Sequence, residues 1–210
     1  MKGIFITLEG PDGSGKSTIM KRITEYFESK GIKFIATREP GGTQIGEDIR
    51  EIILDRRNKN MAAETEALLY AASRSQHIHE KIVPALNTGS IVLCERFILS
   101  SLAYQGIGRN LGIDEIEMVN DFAIRGIRPD LTLFFHIDPS LSLDRKTKGM
   151  EGDRLEKEGT DFHKKVYKGY LKLLNRYPED IKLIDANRSV EEVFKQSIYY
   201  IEKALKNRGE

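Results

Sequence analysis

Gly10-Pro11-Asp12-Gly13-Ser14-Gly15-Lys16-Ser17 is a complete G-x-x-x-x-G-K-S motif. The run Ile4-Phe5-Ile6-Thr7-Leu8 before it has the make-up of a buried strand, and Thr18 to Lys30 after it has a helical pattern. A glycine-rich loop between a strand and a helix is the context in which this motif cradles phosphate. Its glycines let the backbone turn N–H groups inward, and the helix N-terminus adds roughly half a positive charge at the same point. Gly10, Asp12, Gly13, Ser14, Gly15 and Thr18 are the expected neighbours of the bound phosphates. Lys16 is expected to reach the β- and γ-phosphates, and the Ser17 hydroxyl to ligate Mg²⁺.

Outward from the loop, apolar runs alternate with amphipathic stretches. The strand candidates are 3–9, 33–37, 90–95, 131–137 and 181–185. Leu131-Thr132-Leu133-Phe134-Phe135 lacks the alternation of a half-wet sheet. The pattern therefore predicts an α/β, three-layer P-loop NTPase fold: a five-stranded parallel sheet with helices on both faces. Asp114 with Glu117 and Ser189 with Glu192 fit capping boxes, and Asp138-Pro139 fits a helix start. Gly31, Gly89 and Gly126 read as helix stops. Val190, Val193, Phe194, Ser197, Ile198, Ile201 and Leu205 form one stripe of the last helix.

The chain of 210 residues reads as a single domain over 1–210, without repeats or linkers. One segment, about 145–160, is charged and glycine-broken. It returns to the carboxyl ends of the strands, where open parallel sheets hold ligands, so it is expected to be a short lid with hinging glycines. A net charge of +1 gives no field for nucleic acid. No apolar run is long enough for a membrane span. Met1 leads directly into the first strand, leaving no room for a secretory leader. The single cysteine, Cys94, sits in an apolar run and reads as a core residue in a reducing, cytoplasmic protein. His77 and His79 are two apart and cannot share a helix face as ligands, so no zinc site is expected.

A phosphate loop alone serves switches, ATPases and small-molecule kinases. The guanine-reading Asn-Lys-x-Asp motif is missing; Asn58-Lys59-Asn60-Met61 lacks the aspartate. Four further blocks decide between the remaining classes: Arg38-Glu39-Pro40-Gly41-Gly42-Thr43, Tyr70-Ala71-Ala72-Ser73-Arg74, Ser100-Ser101-Leu102-Ala103-Tyr104-Gln105-Gly106 and Arg128-Pro129-Asp130-Leu131-Thr132-Leu133. In this order, over nearly the whole chain, they resemble the thymidylate kinase family.

That resemblance implies transfer of the γ-phosphoryl group of ATP, with Mg²⁺, onto the phosphate of dTMP. It also implies a homodimer built through helices beside the sheet. Arg96 would bridge donor and acceptor phosphates. Glu95, where the family usually has Asp, would act on Mg²⁺ through a water or directly. Asp12 would accept a bond from the sugar 3′-hydroxyl. Arg50 would hold the acceptor phosphate, and Arg38 would either share that task or fix the loop by pairing with a carboxylate. Tyr70, Arg74, Ser101 and Gln105 would read the base, and Tyr104 would crowd the sugar 2′ position. Since Pro11, Asp12, Gly13 and Ser14 supply no cation, Arg145, Lys146, Lys148 or Arg154 of the lid would reach ATP; Arg154 aligns best. Asn187 and Arg188 fall where related kinases hold adenine. The alternative in the same fold is a deoxynucleoside kinase, whose sugar hydroxyl acceptor needs a carboxylate base.

Overall fold

Strands β1 Ile4–Glu9, β2 Phe34–Arg38, β3 Ile91–Glu95, β4 Leu131–His136 and β5 Ile181–Asp185 build one parallel sheet in the order β2-β3-β1-β4-β5. The structure is a computed structural model that describes residues 2–138, 141, 152–177 and 181–206. Every strand begins and ends within one residue of the run expected for it. The chain leaves β1 toward β2 on one side and leaves β3 toward β4 on the other. The reversal lies between β1 and β3, and a crevice beyond their carboxyl ends is the natural ligand position.

Strand residues alternate between the two faces, so the sheet separates two cores. Ile4, Ile6 and Leu8 pack with Ile19, Ile23 and Phe27 of α1 Lys16–Ser29 and with Val193 and Ile201 of α8 Val190–Lys206. Phe5, Val92 and Phe134 face the other way. There they meet α3 Ala63–His77, α5 Ile98–Ser101, α6 Ile113–Ile124 and α7 Thr160–Arg176, through Ala67, Ile98, Ile116 and Tyr170. α2 Gln44–Leu54 packs beside α3, which runs on through a π-helical turn, Ile78–Ile82, into α4 Val83–Asn87. A second π-helical stretch, Leu102–Gly108, continues α5. Fully buried side chains such as Ile23 and Phe27 are each worth roughly 1.5–3 kcal/mol of burial.

Local signals hold unevenly. The Ser189–Glu192 capping box forms, with the Ser189 N–H donating to Glu192 Oε2 at 3.1 Å and the Glu192 N–H to Ser189 Oγ at 3.3 Å. Gly31, Gly89 and Gly126 all take the left-handed conformation. Asp114 does not cap. Gly112 occupies that position without a side-chain bond, and Asp114 lies inside α6 accepting from Arg176 at 2.7 Å. The helix starts two residues earlier than the box requires, which leaves Asp114 in the first turn, where a carboxylate suits the helix dipole. Val190 of the expected α8 stripe is half exposed. Pro139 and the first part of the expected lid, 145–151, lie outside the described residues. No helix of the described residues is long and apolar enough to cross a membrane.

Candidate active site

The phosphate loop is shaped by conformations that only glycine adopts easily. Gly10 has φ 139°, and a Cβ there would stand 2.7 Å from the Phe135 carbonyl oxygen. Gly15, at φ 87°, starts α1 without any side-chain cap. The first N–H groups of α1 are thus left for an anion. Lys16 curls back into the loop, donating to the carbonyls of Gly10 at 3.0 Å and Pro11 at 2.8 Å. Burial, and then the Arg96 charge, lowers its pKa to about 8. Ser17 donates its hydroxyl to Glu95 Oε1 at 3.0 Å, so two hard oxygen ligands meet at the lip of the loop. A hydroxyl and one carboxylate suit Mg²⁺, which keeps most of its waters and takes few protein ligands.

Arg96 follows β3 in the left-handed region, φ 67°, and turns its guanidinium across the crevice. Nη1 donates to Gly10 O at 3.2 Å, Ser100 Oγ at 3.0 Å and the Tyr170 hydroxyl at 3.3 Å, while Nη2 pairs with Asp12 at 2.5 Å. The other oxygen of Asp12 accepts from the Tyr104 hydroxyl at 3.0 Å. Asp12, Tyr104 and Arg96 thereby form one assembly, with the guanidinium also 5.4 Å over the Tyr104 ring.

From this waist a cavity of about 880 Å³ extends in both directions. Gly13, Gly15, Lys16, Ser17, Thr18 and Glu95 line the phosphate-loop end. Asp12, Arg38, Arg50, Tyr70, Arg74, Arg96, Ser101, Tyr104 and Gln105, every side chain named for the acceptor, line it as well. Tyr70 and Arg74 are one turn apart on α3 and share its face. Arg74 is nearly fully buried: Nε donates to Glu39 Oε2 at 2.7 Å, and Nη1 donates to Ser101 at 3.0 Å and to Asn120. Nη2 has no partner among the described residues. Gln105 is pinned by Glu66, at 2.9 Å. Arg50 donates to the Pro40 carbonyl at 2.9 Å, and Arg38 pairs with Glu47 at 2.8 Å. Glu47 also accepts from the Gly42 N–H at 2.7 Å, which is the loop-fixing arrangement.

Two expected contacts are spent elsewhere. Arg154 does not extend toward the phosphate loop. It is 7 % exposed and turns inward, donating to the Ile53 carbonyl at 2.7 Å and to Glu66 at 2.6 Å. The reason is electrostatic: Glu66 is buried, and its charge needs partners. Arg145, Lys146 and Lys148 lie outside the described residues. Asn187 and Arg188 use their side chains within the turn after β5, on the Asp138 N–H and on Asp185.

Sequence reasoning overlooked several groups that shape the site. Ser100 and Tyr170 accept from the Arg96 guanidinium and Glu9 accepts from Ser100, while Glu39 and Asn120 hold Arg74. Phe97 lies under the Arg74 guanidinium, at 5.1 Å. Glu66 gathers Gln105, Arg109 and Arg154. A signal existed for Glu9, since a carboxylate ending an otherwise apolar central strand must find donors.

The chain matches the family model described as thymidylate kinase over residues 8–197. It is 54 % identical over 200 residues to the thymidylate kinase of Finegoldia magna, covering 95 % of this chain and 98 % of that one. To the thymidylate kinase of Clostridium novyi it is 54 % identical over 197 residues, covering 93 % and 96 % of the two chains. Among solved structures it resembles the thymidylate kinase from Ehrlichia chaffeensis, with a TM-score of 0.78 at 29 % identity, covering 96 % of this chain and 99 % of that one.

Proposed function

This chain belongs to the thymidylate kinase family, and on that premise we propose how its residues divide the work of moving the γ-phosphoryl group of ATP onto dTMP. The acceptor is a phosphate oxygen whose last proton leaves near pH ~6, so no strong general base is needed. Charge in the transition state spreads over the equatorial oxygens of the transferred group. Positioning and cation clamps therefore carry the catalysis.

The N-terminus of α1, the loop amides and Lys16 bind the donor phosphates. Ser17 and Glu95 would hold Mg²⁺, which neutralises phosphate charge and orients the donor. Arg96 leaves its pair with Asp12 to straddle the donor and acceptor phosphates, and Asp12 then accepts from the sugar 3′-hydroxyl. Arg50 holds the acceptor phosphate from the opposite wall, and Arg38, paired with Glu47, fixes the loop beside it. Tyr70 stacks on the pyrimidine, and the unshared Nη2 of Arg74 donates to an exocyclic carbonyl. Tyr104, bonded to Asp12, stands where a ribose 2′-hydroxyl would go. The observation that carries this division is Arg96, bonded to Gly10 O and Asp12 of the phosphate loop while it faces a cavity whose far end is built around Arg74.

The reading includes a cytoplasmic setting, supported by the lone, buried Cys94 thiol, and a homodimer. The dimer is supported by exposed Phe122 and Met118 on α6, Leu68 on α3 and Ile45 and Ile52 on α2. ADP release from ATP, measured with dTMP, dUMP, thymidine or no acceptor, tests the reaction. Turnover should be fast with dTMP and slower with dUMP. Turnover with thymidine and none with dTMP would transfer the chain to the deoxynucleoside kinases.

A further inference from the structure

The roles above leave Glu9 unused, although it is a fully buried carboxylate beside the phosphate loop. We propose that Glu9 is a positioning residue for Arg96: it fixes the backbone on the far side of the arginine and the hydroxyl pair that holds its guanidinium. The inference rests on the reading of Arg96 as the bridge between the two phosphates.

The backbone argument starts from the strand. Glu9 shares a face with Phe5 and Thr7, so its side chain enters the core that contains α5 and α7, not the crevice. Oε1 accepts from the N–H groups of Phe97 at 2.8 Å and Ser100 at 3.3 Å, in the manner of a cap on the short helix after Arg96. The Arg96 N–H itself donates to Leu8 O at 2.9 Å. Consecutive residues of β1 thus clamp both sides of a left-handed turn. A residue with a side chain holds that conformation only where its surroundings impose it.

The side-chain argument concerns one proton. Ser100 Oγ donates to Glu9 Oε2 at 2.5 Å, which spends its only hydrogen. Its lone pairs then accept from Arg96 Nη1 at 3.0 Å and from the Tyr170 hydroxyl at 3.0 Å. Tyr170 in turn receives a second contact from Arg96 Nη1, at 3.3 Å. As the acceptor of the Ser100 proton, Glu9 therefore sets the direction of the two hydroxyl contacts that orient Nη1, beside its bond to the Gly10 carbonyl. The guanidinium is then aimed before either nucleotide arrives, and Nη2 remains the arm that can exchange Asp12 for phosphate oxygen.

Glu9→Gln isolates the acceptor at Oε2, because the amide oxygen can still cap Phe97 and Ser100 while the NH₂ group meets Ser100 Oγ with a donor instead. Single-turnover phosphorylation of dTMP with enzyme in excess should slow roughly 10- to 100-fold, as expected for a misaligned catalytic group. KM values for ATP and dTMP should stay within about threefold. In the Arg96→Ala background the same change should cost less than about twofold, because the group it positions is gone. Ser100→Ala and Tyr170→Phe should behave alike, and they carry the test if Glu9→Gln does not fold. An undiminished loss in the Arg96→Ala background, or a change in KM alone, would overturn the inference. An inactive wild type in this assay would overturn the functional reading instead.

Discussion

Lys16 carries the chemistry of the site at the residue scale and also reports on it. Burial and the neighbouring Arg96 lower its pKa to about 8, while Asp12, Glu95 and Glu9 pull it back up. A folded pKa below the ordinary lysine value means that the unfolded chain binds more protons between about pH 8 and 10.5, so this group's contribution to stability rises with pH there. A bound triphosphate adds negative charge against Nζ and must raise the value again. Binding of ATP at pH 8 should therefore take up a fraction of a proton, read by calorimetry in buffers of different ionisation enthalpy. Uptake should shrink toward pH 6.5 and vanish in Lys16→Ala. Equal heats in all buffers at pH 8 would show that Lys16 is already fully charged in the empty loop. The motif made Lys16 legible from sequence, and the spacing of Tyr70 and Arg74 made their shared face of α3 legible. Glu39 and Asn120 were not legible, because nothing local announces that a buried arginine on α3 will be held by groups 35 and 46 residues away.

Among the elements, the strands were the easiest to read, since a sheet covered on both faces demands nearly unbroken apolar runs. The second half of the expected lid was the hardest. Residues 152–158 carry Asp153, Arg154, Glu156, Lys157 and Glu158, a composition that suggests a solvated loop. Yet Arg154 and Leu155 are buried, because Glu66 on α3 waits for the guanidinium 88 residues away in sequence. Glu66 joins α3, the π-helical stretch through Gln105, Arg109 and the described part of the expected lid. Burial alone would raise its carboxyl, but the bonds from Arg109, Gln105 and Arg154 hold it below the ordinary value. Its stabilising contribution is thus complete above the ordinary glutamate pKa and disappears as pH falls through the lowered one. Glu66→Ala leaves the Arg154 charge buried without its carboxylate, holding only the Ile53 carbonyl, and should cost roughly 3–5 kcal/mol in urea unfolding. It should also release Gln105, raising KM for dTMP. A loss below about 1 kcal/mol would mean that Arg154 escapes to water at no cost.

For the molecule as a whole, five of the exposed large apolar side chains, including the most exposed ones, lie on α2, α3 and α6. Phe122 is 87 % exposed, Met118 68 % and Leu68 59 %, and Ile45 and Ile52 are each about half exposed. Met118 and Phe122 are one turn apart on α6, and Ile45 and Ile52 are two turns apart on α2, so each helix presents a stripe. α3, which carries Leu68, packs against both helices. Scattered apolar side chains on a surface need no partner, but exposed stripes on helices that both pack on α3 make a candidate interface. A second copy of the chain is the occupant that the family suggests. These helices carry Tyr70, Arg74 and Arg50 on their inner sides, so an interface across their backs would stiffen the acceptor end of the cavity. Phe122→Glu should convert a sedimenting dimer to monomer and raise KM for dTMP more than KM for ATP, because the donor loop lies on α1. A wild type that sediments as a monomer at micromolar concentration would leave the patch without its partner and remove the reason for the KM effect.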